Sequence, residues 1–196
     1  QTTSVRMKNI GLCGAHRTGK TTLALELARL TGKQFVRTRV TEVFKQHGLH
    51  AAQDMDFETR LSIQYRILEA CEYDWQHAGG EFVTDRTPVD FLAYTLGDVQ
   101  GKTAVNQANF DQYLERCFEL TNRFFGLLVI LQPGIPLEAA EGKAALNHAY
   151  IEHINSLVIG LGNDERVRCE VLAISRNATE LTERIRIVSE VVSQFD

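Results

Sequence analysis

Between Gly14 and Thr21 the chain reads Gly-Ala-His-Arg-Thr-Gly-Lys-Thr, a match to G-x-x-x-x-G-K-[ST]. These residue types suit one chemistry. The glycines let backbone N–H groups turn inward around a phosphate chain, and a helix starting at the loop's end adds its positive pole. Lys20 is placed to reach the β- and γ-phosphates, and the Thr21 hydroxyl to coordinate Mg²⁺. The expected nucleotide contacts are Gly14, Ala15, His16, Arg17, Thr18, Gly19, Lys20, Thr21 and Thr22. His16 and Arg17 read as a solvated loop tip, with Arg17 on the γ-phosphate as the alternative.

A second pair, Asp85-Arg86, closes the segment "EFVTDRTP". A hydrolytic motor places another carboxylate after its strand-end Asp to activate water; here Arg86 stands in that position. NKxD-type base readers and an LSGGQ-like signature are absent. An acid beside an arginine suits phosphoryl transfer to a hydroxyl. Asp85 takes the acceptor's proton, or serves Mg²⁺ with Thr21, while Arg86 balances charge on the moving group. Lys20, Asp85 and Arg86 are therefore the candidate catalytic residues, Thr21 and Asp85 the metal candidates, and ATP with Mg²⁺ the expected cofactors.

These groups need a scaffold that carries them on strand ends. "MKNIGLCG" reads as a buried strand entering the loop, and "KTTLALELARLTG" as a helix with Leu23, Leu27 and Leu30 on one face and Gly32 as its stop. "KQFVRT", "GGEFVTDR", "FGLLVILQP" and "RVRCEVLAI" supply four more strands. Helices are predicted over 40–48, 56–78 with Asp56 as N-cap, 109–123 and 149–161. "TPVDFLAYTLG" begins one more, with Thr87 as N-cap, Pro88 at N1 and Asp90 as a capping carboxylate at N3. Asn177 with Glu180 is expected to cap the last helix. The pattern predicts an α/β fold: a three-layer sandwich, with a parallel sheet of about five strands between helices and ligands at the strands' carboxyl ends. Residues 1–196 read as a single domain, 133–147 as a lid, and residues 1–6, ahead of Met7, as an added or trimmed start.

Composition narrows the classes. The chain has 196 residues, 44% hydrophobic and 23% charged, as an ordinary globular protein does. Its longest apolar run, 124–131, is too short to cross a bilayer, and no leader-like segment opens the sequence. Cys13, Cys71, Cys117 and Cys169 lie far apart without a CxxC pair, which reads as reduced buried thiols and a cytoplasmic protein. The net charge of −4 hides an asymmetry: residues 1–50 carry nine Lys/Arg against two acids, the remainder twelve against twenty-three. The surplus sits with the phosphate loop and does not coat the protein for duplex binding.

The loop and the acid-arginine pair together resemble the P-loop nucleoside and nucleotide kinases, whose third strand ends in such a pair. Within that superfamily "GAHRTGKTTLA", "TDRTPVDFLAY" and "QPGIP…EGK…AYIEHI" look similar to phage 5-hydroxymethyluracil DNA kinases. The resemblance implies γ-phosphate transfer to a base or nucleoside hydroxyl, with that base in phage DNA as the leading acceptor and the host cytoplasm as its place. A free nucleoside, nucleotide or nicotinamide-riboside-type acceptor is the alternative, and an ATPase or switch the more distant one. The expected partners are ATP and the acceptor, with no membrane; nothing in the pattern sets an oligomeric state. Candidate acceptor contacts are Arg37 and Arg39 after the second strand, Arg60 and Gln64 on the long helix, and Lys143 in the lid. Lys45 would join the arginines on flanking phosphates, and Arg123 is a further candidate for transition-state charge. Tyr65 and Trp75 read as core. The chain departs from the kinase pattern in its lid, where arginines are missing and Lys143 is the one Lys/Arg between 133 and 150. The loop after the fifth strand, "SRNATE", lies where the resemblance implies adenine contact, an alternative to the capping reading of Asn177.

Overall fold

The computed structural model describes residues 8–137 and 147–194. Five strands form one parallel sheet: β1 (Ile10–Cys13), β2 (Gln34–Val36), β3 (Phe82–Thr84), β4 (Leu127–Leu131) and β5 (Glu170–Ile174), in the order β2-β3-β1-β4-β5. The register aligns Gly11 with Thr84 on one side and with Leu128 on the other. The helices are α1 (Lys20–Thr31), α2 (Val40–Gln46), α3 (Phe57–Gln76), α4 (Pro88–Gly97), α5 (Gln107–Phe124), α6 (His148–Gly162) and α7 (Leu181–Val192). This is the predicted α/β sandwich.

Side-chain alternation along the strands builds the two outer layers. In β4, Leu127, Val129 and Leu131 face a cluster with Leu23 and Leu27 of α1 and Val188 of α7. Leu128 and Ile130 face the opposite cluster, built from α3, α4, α5 and α6. Because both faces are covered, β4 is buried at every position and reads as a continuous apolar run. β5, at the sheet edge, is mostly part-exposed.

The strand order puts the switch point at β1, whose neighbours β3 and β4 lead to opposite halves of the sheet. The loop leaving β1 therefore opens into the crevice where such sheets bind ligands. Gly11 permits the close packing there. A Cβ on it would lie 2.4 Å from Thr87 Cγ2, so β1 and the N-terminus of α4 approach more closely than any larger residue allows.

Local signals hold for most elements. Asp56 caps α3 by accepting from the Thr59 N–H, Gly32 ends α1 at φ 69°, and Thr87 with Asp90 forms a full capping box. Two expectations are corrected. Leu30 is 50% exposed, because the buried stripe of α1 runs through Leu23, Ala24, Leu27 and Ala28 and rotates away before the helix ends. Asn177 does not cap α7: the N-cap position is Glu180, without a side-chain cap bond, and the Asn177 carbonyl instead accepts from the Thr179 N–H in a preceding turn. Tyr65 and Trp75 pack in or against the core as expected, and Cys13, Cys71 and Cys117 are buried free thiols with Cys169 part-buried. Among the described residues no helix is long and apolar enough to cross a membrane.

Candidate active site

The phosphate loop spans the gap between β1 and α1, and three backbone features shape it. Gly14 takes φ 148°, Gly19 φ 89°, and Arg17 φ 63°, a left-handed conformation unusual for a residue with a side chain. A Cβ on Gly14 would stand 2.4 Å from the Leu131 carbonyl oxygen, so this position needs glycine for space as well as for its dihedral. The Thr18 hydroxyl closes the turn by donating to the Ala15 carbonyl at 2.9 Å.

Lys20 is buried at the start of α1, where Nζ donates to the carbonyls of Gly14 (2.8 Å) and Ala15 (2.6 Å). The amine is folded back over its own loop. Burial, reinforced by the Arg86 charge, lowers its pKa to about 8. Arg86 is part-buried, with its guanidinium carbon 5.8 Å from the centre of the Tyr94 ring. The two cations thus act on each other, and neither has an ion pair among the described residues.

Asp85 is buried at the end of β3 and joins three segments. The Thr21 hydroxyl donates to its Oδ2 at 3.0 Å, while the Thr38 N–H and hydroxyl both donate to Oδ1 at 3.2 Å. Both carboxylate oxygens are engaged, Oδ2 from the phosphate-loop side and Oδ1 from the segment after β2. Thr38 carries no sequence motif and escaped the sequence reading.

Asp90 does more than cap α4. Its Oδ2 accepts from the Thr87 N–H (2.8 Å) and hydroxyl (3.0 Å), and Oδ1 accepts from the Gly14 N–H at 2.8 Å. Burial pushes its pKa up, against the pull of Lys20 and these donors. His16 is likewise not free at the loop tip. Its backbone N–H donates to the Tyr94 hydroxyl at 2.8 Å, its Nδ1 lies 2.9 Å from that oxygen, and its ring is 5.8 Å from that of Tyr150. Burial, with Lys20, Arg86 and Arg17 nearby, lowers the His16 pKa below its ordinary value. The only advance signal for Tyr94 was its place in "TDRTPVDFLAY".

The acceptor candidates do not converge as a set. Arg39 is turned to α3, bidentate to Asp74 at 2.7 and 2.8 Å. Arg60 pairs with Asp98 at 2.7 Å and donates to the Ala51 carbonyl at 3.0 Å. Arg37 and Lys45 are exposed. Gln64 is only 6% exposed, and its Oε1 has no hydrogen-bond partner. Arg123 stands at the C-terminal end of α5, before β4, paired with Glu72 and over the Phe124 ring; it lies at the wrong end of the sheet to meet transferring phosphate. Lys143 and most of the expected lid lie outside the described residues.

The AAA domain family matches residues 9–125, which hold the phosphate loop, Asp85-Arg86 and helices α1 to α5. No curated protein matches the chain by sequence. Among solved structures, deoxyadenosine kinase from M. mycoides with the products dCMP and a flexible dCDP aligns over 96% of this chain and 100% of its own, at 14% identity and a TM-score of 0.68. The same enzyme with dATP bound aligns over 95% and 99%, at 15% identity and 0.67. Thymidylate kinase from Ehrlichia chaffeensis aligns over 94% and 97%, at 13% identity and 0.61. At identities this low the structural likeness shows a shared fold alone.

Proposed function

The chain belongs to the AAA domain family, and we propose that it is an ATP-dependent kinase that moves the γ-phosphate to a hydroxyl of a nucleoside, nucleotide or nucleobase. One observation carries the reading. Lys20 and Arg86, two cations with no ion pair among the described residues, act on each other at the end of the phosphate loop, next to the Thr21 hydroxyl that donates to the Asp85 carboxylate at 3.0 Å. Two cations beside a pair of metal-type oxygens suit an anion on which charge develops.

The Thr21 and Asp85 oxygens are hard donors of the kind Mg²⁺ takes, few enough for the ion to keep phosphate and water ligands. No group of three His, Cys, Asp or Glu side chains forms a closed cage among the described residues. Bound there, Mg²⁺ would neutralise charge between the β- and γ-phosphates. Lys20 must leave the Gly14 and Ala15 carbonyls to reach the nucleotide, and Arg86 needs no comparable release. Asp85, held by two threonines, is better placed to orient Thr21 and the metal than to abstract a proton. Residues 133–147 remain the proposed lid, with Lys143 its one Lys/Arg, serving to exclude water from the transfer.

The finer reading of the acceptor is 5-hydroxymethyluracil in phage DNA. It rests on the motif resemblance, with Gln64, whose buried Oε1 has no hydrogen-bond partner, as the side chain that would turn out to meet a base edge. The base would have to leave its stack, at a cost of a few kcal/mol. A free nucleoside, nucleotide or nicotinamide-riboside-type acceptor is the second reading. Arg39 and Arg60, two of the cations that would grip DNA phosphates, are already paired with Asp74 and Asp98, which favours this reading. Labelled ATP offered with 5-hydroxymethyluracil DNA, unmodified DNA, the hydroxymethylated nucleoside and its monophosphate, and nicotinamide riboside separates the two. Label on the modified DNA alone supports the first, and label on free acceptors alone the second. ATP turnover that no acceptor stimulates would sink the kinase reading and leave an ATPase or switch.

A further inference from the structure

Arg184, in the first turn of α7, is 2% exposed. Its Nε donates to the Ala178 carbonyl at 2.6 Å and one terminal nitrogen to the carbonyl of Thr18, 166 positions away, at 2.7 Å. No carboxylate pairs with it among the described residues. Burial lowers its pKa from the ordinary arginine value, a sign of an uncompensated charge. Buried cations are costly unless paired, and two carbonyl dipoles offset that cost only in part.

Three connections meet around this guanidinium. A Cβ on Gly19 would lie 3.0 Å from its terminal nitrogen and 3.2 Å from Ile135 Cδ1, in the segment that follows β4. That segment touches the loop after β5: Gln132 Nε2 donates to the Ile174 carbonyl at 3.0 Å, and a Cβ on Gly134 would fall 2.1 Å from the Arg176 carbonyl oxygen. Arg184 then links the loop after β5, through Ala178, to the phosphate loop, through Thr18.

The peptide geometry gives the link a direction. In a trans peptide the C=O of Thr18 and the N–H of Gly19 point opposite ways. With the Thr18 carbonyl held toward Arg184, the Gly19 N–H points away from that guanidinium. We propose that Arg184 is a positioning residue for the donor nucleotide: it sets the Thr18–Gly19 peptide for phosphate binding, and an entering polyphosphate supplies the nearby negative charge it lacks, tightening the loop after β5 with the phosphate loop. The proposal rests on the reading of that loop as the donor site.

The test compares wild type, Arg184→Lys and Arg184→Met for binding of Mg·ATP and of tripolyphosphate, alongside the melting temperature of each unliganded protein. Arg184→Met should weaken Mg·ATP at least tenfold, and Arg184→Lys, which keeps the charge but loses the fork, should recover part of that loss. In steady state the KM for ATP should rise while the KM for the acceptor holds. In wild type, tripolyphosphate, which carries no base, should slow amide hydrogen exchange across 175–184. A purely structural role would lower the unliganded melting temperature and leave the affinity of folded protein within twofold. That result, or exchange indifferent to tripolyphosphate, overturns the proposal. Wild type that fails to bind Mg·ATP overturns the donor-site reading itself, and is thereby told apart from a wild type that binds normally beside unaffected variants.

Discussion

The Gly14 N–H donates to Asp90 Oδ1 at 2.8 Å, so the first residue of the phosphate loop hangs from the N-terminal cap of α4, 76 positions away. The same carboxylate satisfies Thr87 with its other oxygen. Loop shape and helix start are therefore one buried unit.

Asp90→Ala should cost both stability and nucleotide affinity. Losing a cap costs about 0.5–2 kcal/mol, and a buried donor left without a partner a further ~1–3 kcal/mol. Asp90→Asn should fall between, since its amide keeps one acceptor for Gly14 but turns a donor toward Thr87. Denaturant midpoints and Mg·ATP titrations read the two effects. Unchanged affinity in a destabilised Asp90→Ala would show that Asp90 serves α4 alone.

Lys20 makes the site pH-dependent above neutrality. Its folded-state pKa of about 8 lies below the unfolded value, so between pH 8 and about 10.4 the unfolded chain binds more protons and the unliganded protein gains stability as pH rises. Nucleotide binding runs the other way. It needs the ammonium form, so Mg·ATP affinity should fall above pH 8, approaching tenfold per unit. Lys20→Met should bind weakly with little slope, and subtracting it removes the other groups that titrate there. A flat wild-type affinity from pH 7 to 9.5 would refute the assignment.

Asp85→Asn distinguishes metal partner from general base. With both carboxylate oxygens held by Thr21 and Thr38, the expected result is a rise of at least tenfold in the Mg²⁺ concentration for half-maximal turnover. Binding of metal-free ATP should change little. A loss of turnover of about 10²–10⁴ with an unmoved Mg²⁺ midpoint would instead return Asp85 to the base role.

Some of this was legible in the sequence because it is local. The loop from Gly14 to Thr21, the Thr87–Asp90 capping box and the continuous apolar run of β4 each depend on residues a few positions apart, where dihedral preference, capping and local hydrophobicity act directly. Alternating strands and helices sufficed to predict the sandwich. The partners of those residues were not legible. Asp90 on Gly14, Tyr94 on His16, Thr38 on Asp85 and Arg184 on Thr18 join loops that meet only because five parallel strands end side by side. The same holds for Arg39 and Arg60, cations by sequence whose charges the fold commits to Asp74 and Asp98. Hydrophobic period decides which face of an element is buried. Which loop tip stands within 3 Å of another is decided by strand order, and in this chain the order β2-β3-β1-β4-β5 gathers at the end of β1 the groups that surround the phosphate loop.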